Sequence, residues 1–194
     1  MTTTKKQPIL RRPVFFGLLF ALAILVSYLI VNWPMLSQQA SYALGGASDP
    51  EVPLTTDAII IPEIGVAAPI VWASEDNEER LQTQLLEGVV HHPTTTLPGE
   101  PGNGVYIGHS SNYWWEESDY NTVFGLLDKL ETGDTVILRY QGSDYSYTVK
   151  EKKVVAKDAP EIFTGNETEE ITLVTCWPLG TDWQNFIIKA VPSK

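Results

Sequence analysis

Apolar and polar positions along the chain fall into three regimes. The first is Val14 to Val31, VFFGLLFALAILVSYLIV, 18 consecutive residues without a charge. As a helix this run rises about 27 Å, close to the hydrocarbon thickness of a bilayer, so the pattern predicts one membrane span over 14–31. The second regime, 32–52, is rich in Ser, Gln, Ala, Gly, Asp and Pro without a sustained period, as expected of a spacer. The third, 53–194, consists of short Val, Ile and Tyr runs punctuated by Gly, Pro and Asp. These predict strands over 57–61, 66–72, 89–91, 105–109, 135–140, 145–155, 171–175 and 186–191. In the sixth, Tyr145, Tyr147 and Val149 alternate with Ser146, Thr148 and Lys150, a pattern of packing rather than of a ligand cage. Two helical interruptions are expected. Asp76 and Glu79 form a capping pair ahead of Leu81, Leu85 and Leu86, with Gly88 after the end. Val123, Phe124, Leu127 and Leu130 share one helical face within 121–130, before a Gly133-Asp134 turn. Eight short strands with few helices predict a mainly β fold, a closed or nearly closed eight-stranded barrel with short helices, because closure removes exposed edges.

Charge adds an orientation. Lys5, Lys6, Arg11 and Arg12 give the first twelve residues +4 with no acid, while the remainder of a chain of net charge −11 carries −15. Basic residues before an apolar span stay on the cytoplasmic side, so 1–13 is expected to be a cytoplasmic tail and the acidic body to lie outside. A cleaved signal peptide opens in the same way, with Ser41-Tyr42-Ala43 as a possible cleavage region. The length of the apolar run and the interfacial Asn32-Trp33-Pro34 favour an uncleaved anchor. So acidic a body argues against nucleic acid as a partner, and 43% hydrophobic with 19% charged residues excludes a disordered chain.

The single cysteine, Cys176, excludes an internal disulfide and a multi-cysteine zinc site. It ends the apolar run Ile171-Thr-Leu-Val-Thr-Cys176 and precedes Trp177-Pro178. Two readings stand at this point: a buried, inert small hydrophobe, or a strand-end nucleophile. A nucleophilic thiol needs a basic or cationic partner, because free cysteine is mostly protonated at neutral pH. His109 ends the run Val105-Tyr-Ile-Gly-His109 and suits that role, since two strand ends can meet at one rim of a barrel. His91 and His92 are adjacent, so a strand points them to opposite faces and one metal would not easily receive both. Glu75-Asp-Asn-Glu-Glu79 reads as a solvated helix start rather than a calcium site, and neither metal nor cofactor is expected. Asn166-Glu-Thr168 matches a glycosylation acceptor by pattern only. Trp114-Trp115, in the loop after His109, reads equally as core packing or as a groove or partner surface.

Thr172-Leu-Val-Thr-Cys176 resembles the T-L-x-T-C motif of sortases, the membrane-anchored cysteine transpeptidases of bacterial surfaces. Ile61-Pro-Glu-Ile-Gly-Val-Ala-Ala-Pro-Ile70, then Gly88-Val-Val-His-His-Pro93 running on to Leu97-Pro-Gly-Glu-Pro-Gly-Asn103, and Tyr106-Ile-Gly-His-Ser110 resemble the same family in the same order. The likeness covers essentially the whole body, and the histidine–proline segment is more similar to classes D and E than to class A. The resemblance implies a sortase-like barrel and a Cys176 that attacks an LPxTG-like sorting signal. His109 would protonate the leaving amine and then help deprotonate the amine acceptor, a peptidoglycan precursor or a pilin Lys. It also implies an Arg on the strand after the Cys, in the pattern C-x8-R, where this chain has Asn185 and no later Arg. Asn185 can donate a neutral amide hydrogen bond at an oxyanion site. Arg139 or Arg80 could complete the site from elsewhere, while Lys189, four residues further along the strand, lies about 13 Å away. The departure motivates a second expectation, a catalytically weak sortase-fold module that binds sorting signals or wall components.

Overall fold

The computed structural model describes residues 11–44, 56–112, 116–165 and 167–193. Lys5 and Lys6, Trp114-Trp115 and Asn166 lie outside the described residues. The apolar run forms helix α1, Arg11–Val31, of which Val14–Val31 is long and apolar enough to cross a bilayer. None of that window is buried against the protein. Helix α2, Trp33–Ala43, follows almost at once, with Pro34 in its first turn where a missing N–H costs nothing. The first half of the expected irregular spacer is therefore helical. It also touches the body: Gln38 Nε2 donates to the Thr122 carbonyl at 3.1 Å, and Tyr42 packs against the main core.

Eight strands follow: β1 Ala58–Ile61, β2 Val66–Trp72, β3 Val89–His91, β4 Asn103–Ile107, β5 Thr135–Tyr140, β6 Ser143–Ala156, β7 Glu170–Trp177 and β8 Gln184–Pro192. They close into a barrel in the order β1-β2-β3-β4-β7-β8-β6-β5. The β2–β3 and β4–β7 pairs are parallel and the others antiparallel. The first hairpin turns through Pro62–Ile64 and Gly65, whose φ of 63° is the left-handed region a residue without Cβ enters without strain.

Alternation decides what fills the barrel. Val66, Ala68 and Ile70 from β2, Val136 and Leu138 from β5, Tyr106 from β4, and Ile171, Leu173 and Ile188 from β7 and β8 meet in one buried cluster. Strand β7 is buried on both faces, which is why it reads as a near-continuous apolar run. Its outward Val174 joins Val105, Val155, Ile162 and Ile187 beneath the turn Pro160–Ile162. A third cluster, Ala73, Leu81, Leu85 and Val90, seats helix α3, Glu78–Gln84, on the same outer wall.

Two local expectations are corrected. The cap of α3 is Asn77, whose side chain accepts from Arg80 N at 3.1 Å, not Asp76. Asp76 instead lies 3.4 Å from His92 Nε2. The segment 121–130 is not an α-helix but a series of turns with a 3₁₀ turn at Leu127–Lys129. Its apolar face is buried as the spacing requires. Its bonds are i→i+3 turns, and Phe124 N instead bonds the His109 carbonyl at 2.8 Å, tying the loop to the segment that follows β4.

Candidate active site

The site is built from one ladder. Strands β4 and β7 run parallel with Asn103 opposite Glu170, Tyr106 opposite Leu173 and Ile107 opposite Val174, a constant offset of 67 residues. Gly108 N carries the ladder on, bonding the Val174 carbonyl at 3.1 Å. His109 precedes Cys176 by the same 67 residues, so continuing the register brings the two level. Register partners share a face, here the outer face that also carries Val174 and Ile107. On its other side Cys176 is the direct antiparallel partner of Asn185. The sequence spacing of the His and the Cys thus equals the offset of the β4–β7 register.

Both motif threonines brace this ladder. Thr172 Oγ1 donates to Asn103 Oδ1 at 2.8 Å, and Asn103 Nδ2 donates to the Ile162 carbonyl at 2.9 Å. Thr175 Oγ1 donates to the Gly108 carbonyl at 2.8 Å. The loop after Cys176 is held from two sides, by Gly180 N on Ser111 Oγ at 3.1 Å and by Asp182 Oδ2 on Lys157 Nζ at 3.1 Å.

Burial sets the electrostatics. Cys176 is half-buried, and desolvation pushes its thiol pKa above the ordinary value; Lys157 acts in the opposite sense, while Asp182 and Glu78 raise it further. Burial lowers the His109 pKa. Each shift favours the neutral form, so the resting pair is thiol and imidazole. The Nε2 of His109 and the hydroxyl of Ser110 are buried with no hydrogen-bond partner among the described residues. A ring nitrogen left free is one that can exchange a proton with an incoming group.

The remaining candidates separate cleanly. His91 lies inside, against Thr96 O at 3.0 Å and the rings of Trp72 and Tyr106, while His92 lies outside against Asp76 and Phe163. Adjacent strand positions thus point apart, as alternation requires. Arg139 is committed to Asp144 at 2.8 Å, Arg80 faces Glu75 at 3.5 Å, and Lys189 binds Glu170 at 2.9 Å and the Thr164 carbonyl at 2.9 Å. Asn185 Nδ2 donates to the Lys157 carbonyl at 3.0 Å. The sequence reading missed Lys157. No sequence signal marked it: Lys157 lies one residue past the end of β6, and only the pairing of β6 with β8 brings it toward Asn185.

A family model described as sortase domain matches residues 59–193. Sortase D of Bacillus subtilis is 31% identical over 130 residues, covering 66% of this chain and 58% of that protein. Sortase A of Bacillus anthracis is 24% identical over 130 residues, covering 67% and 56%. The chain therefore spans less than two thirds of these relatives' lengths. Among solved structures, the Clostridium perfringens sortase D5 transpeptidase is 26% identical with a TM-score of 0.58, covering 72% of this chain and 79% of that one. Streptococcus agalactiae sortase C1 is 28% identical with a TM-score of 0.59, covering 74% and 70%. Classes A, C and D all occur among these relatives, and the class D likeness of the histidine–proline segment fits.

Proposed function

The chain belongs to the sortase family, and from that premise we propose that it is a membrane-anchored transpeptidase with Cys176 as nucleophile and His109 as acid and base. What supports the reading is the 67-residue register of β4 and β7, which continued two residues past its last pair would set the half-buried thiol of Cys176 level with His109, whose Nε2 has no hydrogen-bond partner among the described residues.

The chemistry follows from these groups. The Cys176 proton passes to His109, and the thiolate adds to the backbone carbonyl of an LPxTG-like sorting signal. The oxyanion collapses as imidazolium protonates the leaving amine, which gives a thioester and neutral imidazole. An acceptor amine, from a peptidoglycan precursor or a pilin Lys, then attacks the thioester, loses its proton to His109 and releases the thiol. Water competes as an unproductive acceptor. Asn185, beside Cys176, offers an amide to the oxyanion site.

Residues 14–31 would span the bilayer with 1–13 cytoplasmic, 32–52 as spacer, and the 53–194 body outside, facing surface proteins. The test is covalent. The full chain in detergent micelles, incubated with LPxTG-like peptides, gains by intact mass one acyl group that is absent in Cys176→Ala. Loss of the β8 Arg favours a second reading, a binding module: peptide bound at equilibrium without any adduct would establish that reading and sink the transpeptidase.

A further inference from the structure

We infer that Lys157 supplies the positive charge of this thiol site, and that Asn185 serves by holding Lys157 in place. The inference rests on Cys176 being the reactive thiol. It answers a gap that neither the family match nor the barrel closes, the absence of any Arg after Cys176.

Three observations carry it. First, Asn185 is the cross-strand partner of Cys176, and its amide donates to the Lys157 carbonyl at 3.0 Å. One side chain therefore links the neighbour of the thiol to the backbone of the lysine. Second, Lys157 Nζ donates to Asp182 Oδ2 at 3.1 Å, and Asp182 lies six residues beyond Cys176 in the loop between β7 and β8. The ammonium is thus tethered to the segment that leaves the nucleophile. Third, the two cations expected from sequence are committed elsewhere, Arg139 to Asp144 and Arg80 to Glu75, and Lys189, set aside on distance, is paired with Glu170.

The charges around Cys176 then sort by element. Lys157 follows β6, Asp182 sits in the loop after β7, Glu78 opens α3, and His109 follows β4. Lys157 favours the thiolate, Asp182 and Glu78 oppose it, and His109 is neutral at rest. Lys157 and Asp182 are bonded to each other yet act on the thiol with opposite sign. An anion forming at Cys176, or on a carbonyl it attacks, competes with Asp182 for the same ammonium. Sharing Lys157 with Asp182 holds it near the site without fixing it on the sulfur.

That opposition separates a charge effect from a structural one. Lys157→Gln and Asp182→Asn break the same ion pair, so a merely structural role predicts the same change in both. A charge effect predicts opposite changes. The measurement is the rate of Cys176 alkylation by iodoacetamide against pH, made on the full chain in detergent micelles at low salt. Lys157→Gln is expected to react about threefold more slowly at pH 7.5, with its midpoint moved to higher pH, and Asp182→Asn about threefold faster, with its midpoint moved lower. Lys157→Arg keeps the parent profile, Asn185→Ala shows part of the Lys157→Gln shift, and all shifts shrink in high salt. Superimposable profiles, or Lys157→Gln and Asp182→Asn moving the same way, overturn the assignment. Alkylation needs no sorting signal. A chain that follows this charge pattern yet forms no acyl adduct loses the transpeptidase reading and keeps the Lys157 assignment.

Discussion

Thr175 Oγ1 donates a 2.8 Å hydrogen bond to the carbonyl of Gly108, tying the residue before the thiol to the residue before the imidazole. The bond is buried, so its loss leaves a carbonyl without solvent to replace it. Thr175→Val keeps the shape of the side chain and removes the donor. It is expected to cost about 1–3 kcal/mol of stability and to slow acyl-enzyme formation more than it weakens peptide binding, because the thiol and imidazole lose a shared brace. Thermal unfolding and single-turnover acylation of the variant check both parts; an unchanged acylation rate would show that the ladder alone fixes the pair.

The same brace needs Gly108 for a steric reason. A Cβ at this position would lie 2.6 Å from the Phe124 ring and 2.9 Å from Val123 Cγ1, and both side chains are buried in the main core. Neither can give way freely in a close-packed interior. Gly108→Ala is therefore expected to destabilise the barrel by about 1–3 kcal/mol, the usual range for overpacking. Because Phe124 N also holds the His109 carbonyl, the displaced loop takes His109 with it. Activity should fall even well below the melting temperature, which an assay at 15 °C alongside circular dichroism would reveal.

What made the fold legible was short apolar runs whose buried positions alternate in β2 and β5 and are continuous in β7. β2, β3 and β5 have the limits expected from their apolar runs, because Gly, Pro and Asp end those runs sharply. The segment 121–130 shows where periodicity misleads: its apolar positions face the core as read, but local i→i+3 turns and one bond from Phe124 N to the His109 carbonyl take the place of an α-helical ladder. Neither did composition disclose α2, whose Gln38 bonds the Thr122 carbonyl and whose Tyr42 packs against the main core. The spacing of 67 between His109 and Cys176 was present in the sequence, and it equals the offset of the parallel β4–β7 register. Lys157 was not legible, since its relation to Cys176 passes through β6 and β8, two strands distant in sequence from each other.

Opposite shifts at the two central groups fix the pH dependence. Burial lowers the His109 pKa and raises that of Cys176, so His109 is neutral by mid-range pH while Cys176 is still a thiol. In the proposed mechanism the competent form carries one proton between the two groups. It is lost below the His109 value, where both are protonated, and above the Cys176 value, where both are bare. kcat/KM is therefore expected to follow a bell, its acid limb below the ordinary histidine value of about 6.5 and its alkaline limb above the ordinary cysteine value of about 8.5. Alkylation by iodoacetamide needs only the thiolate, so it should keep rising through the alkaline limb where transpeptidation falls. An alkylation midpoint below pH 7 would mean instead a stable thiolate–imidazolium pair at rest.

Asn185 stands where the resemblance to sortases implies an Arg, and its substitution separates two uses of one amide. If the side chain both offers a donor beside Cys176 and positions Lys157, Asn185→Ala removes both at once. Loss of a single oxyanion donor typically costs about 10²–10³ in rate, and the shared, partly exposed position argues for the lower end. Asn185→Arg restores a donor and adds a permanent charge opposite Cys176 in the β7–β8 ladder, so it is expected to preserve or raise turnover. Asn185→Asp keeps the size but accepts rather than donates and places a negative charge by the thiol, which should depress turnover below Asn185→Ala. Steady-state transfer from an LPxTG-like peptide to a soluble amine ranks the variants: Arg at or above the parent, then Ala, then Asp. Equal rates in the parent and Asn185→Ala would remove Asn185 from the site altogether, leaving the chemistry to Cys176 and His109 with whatever charge Lys157 holds without it.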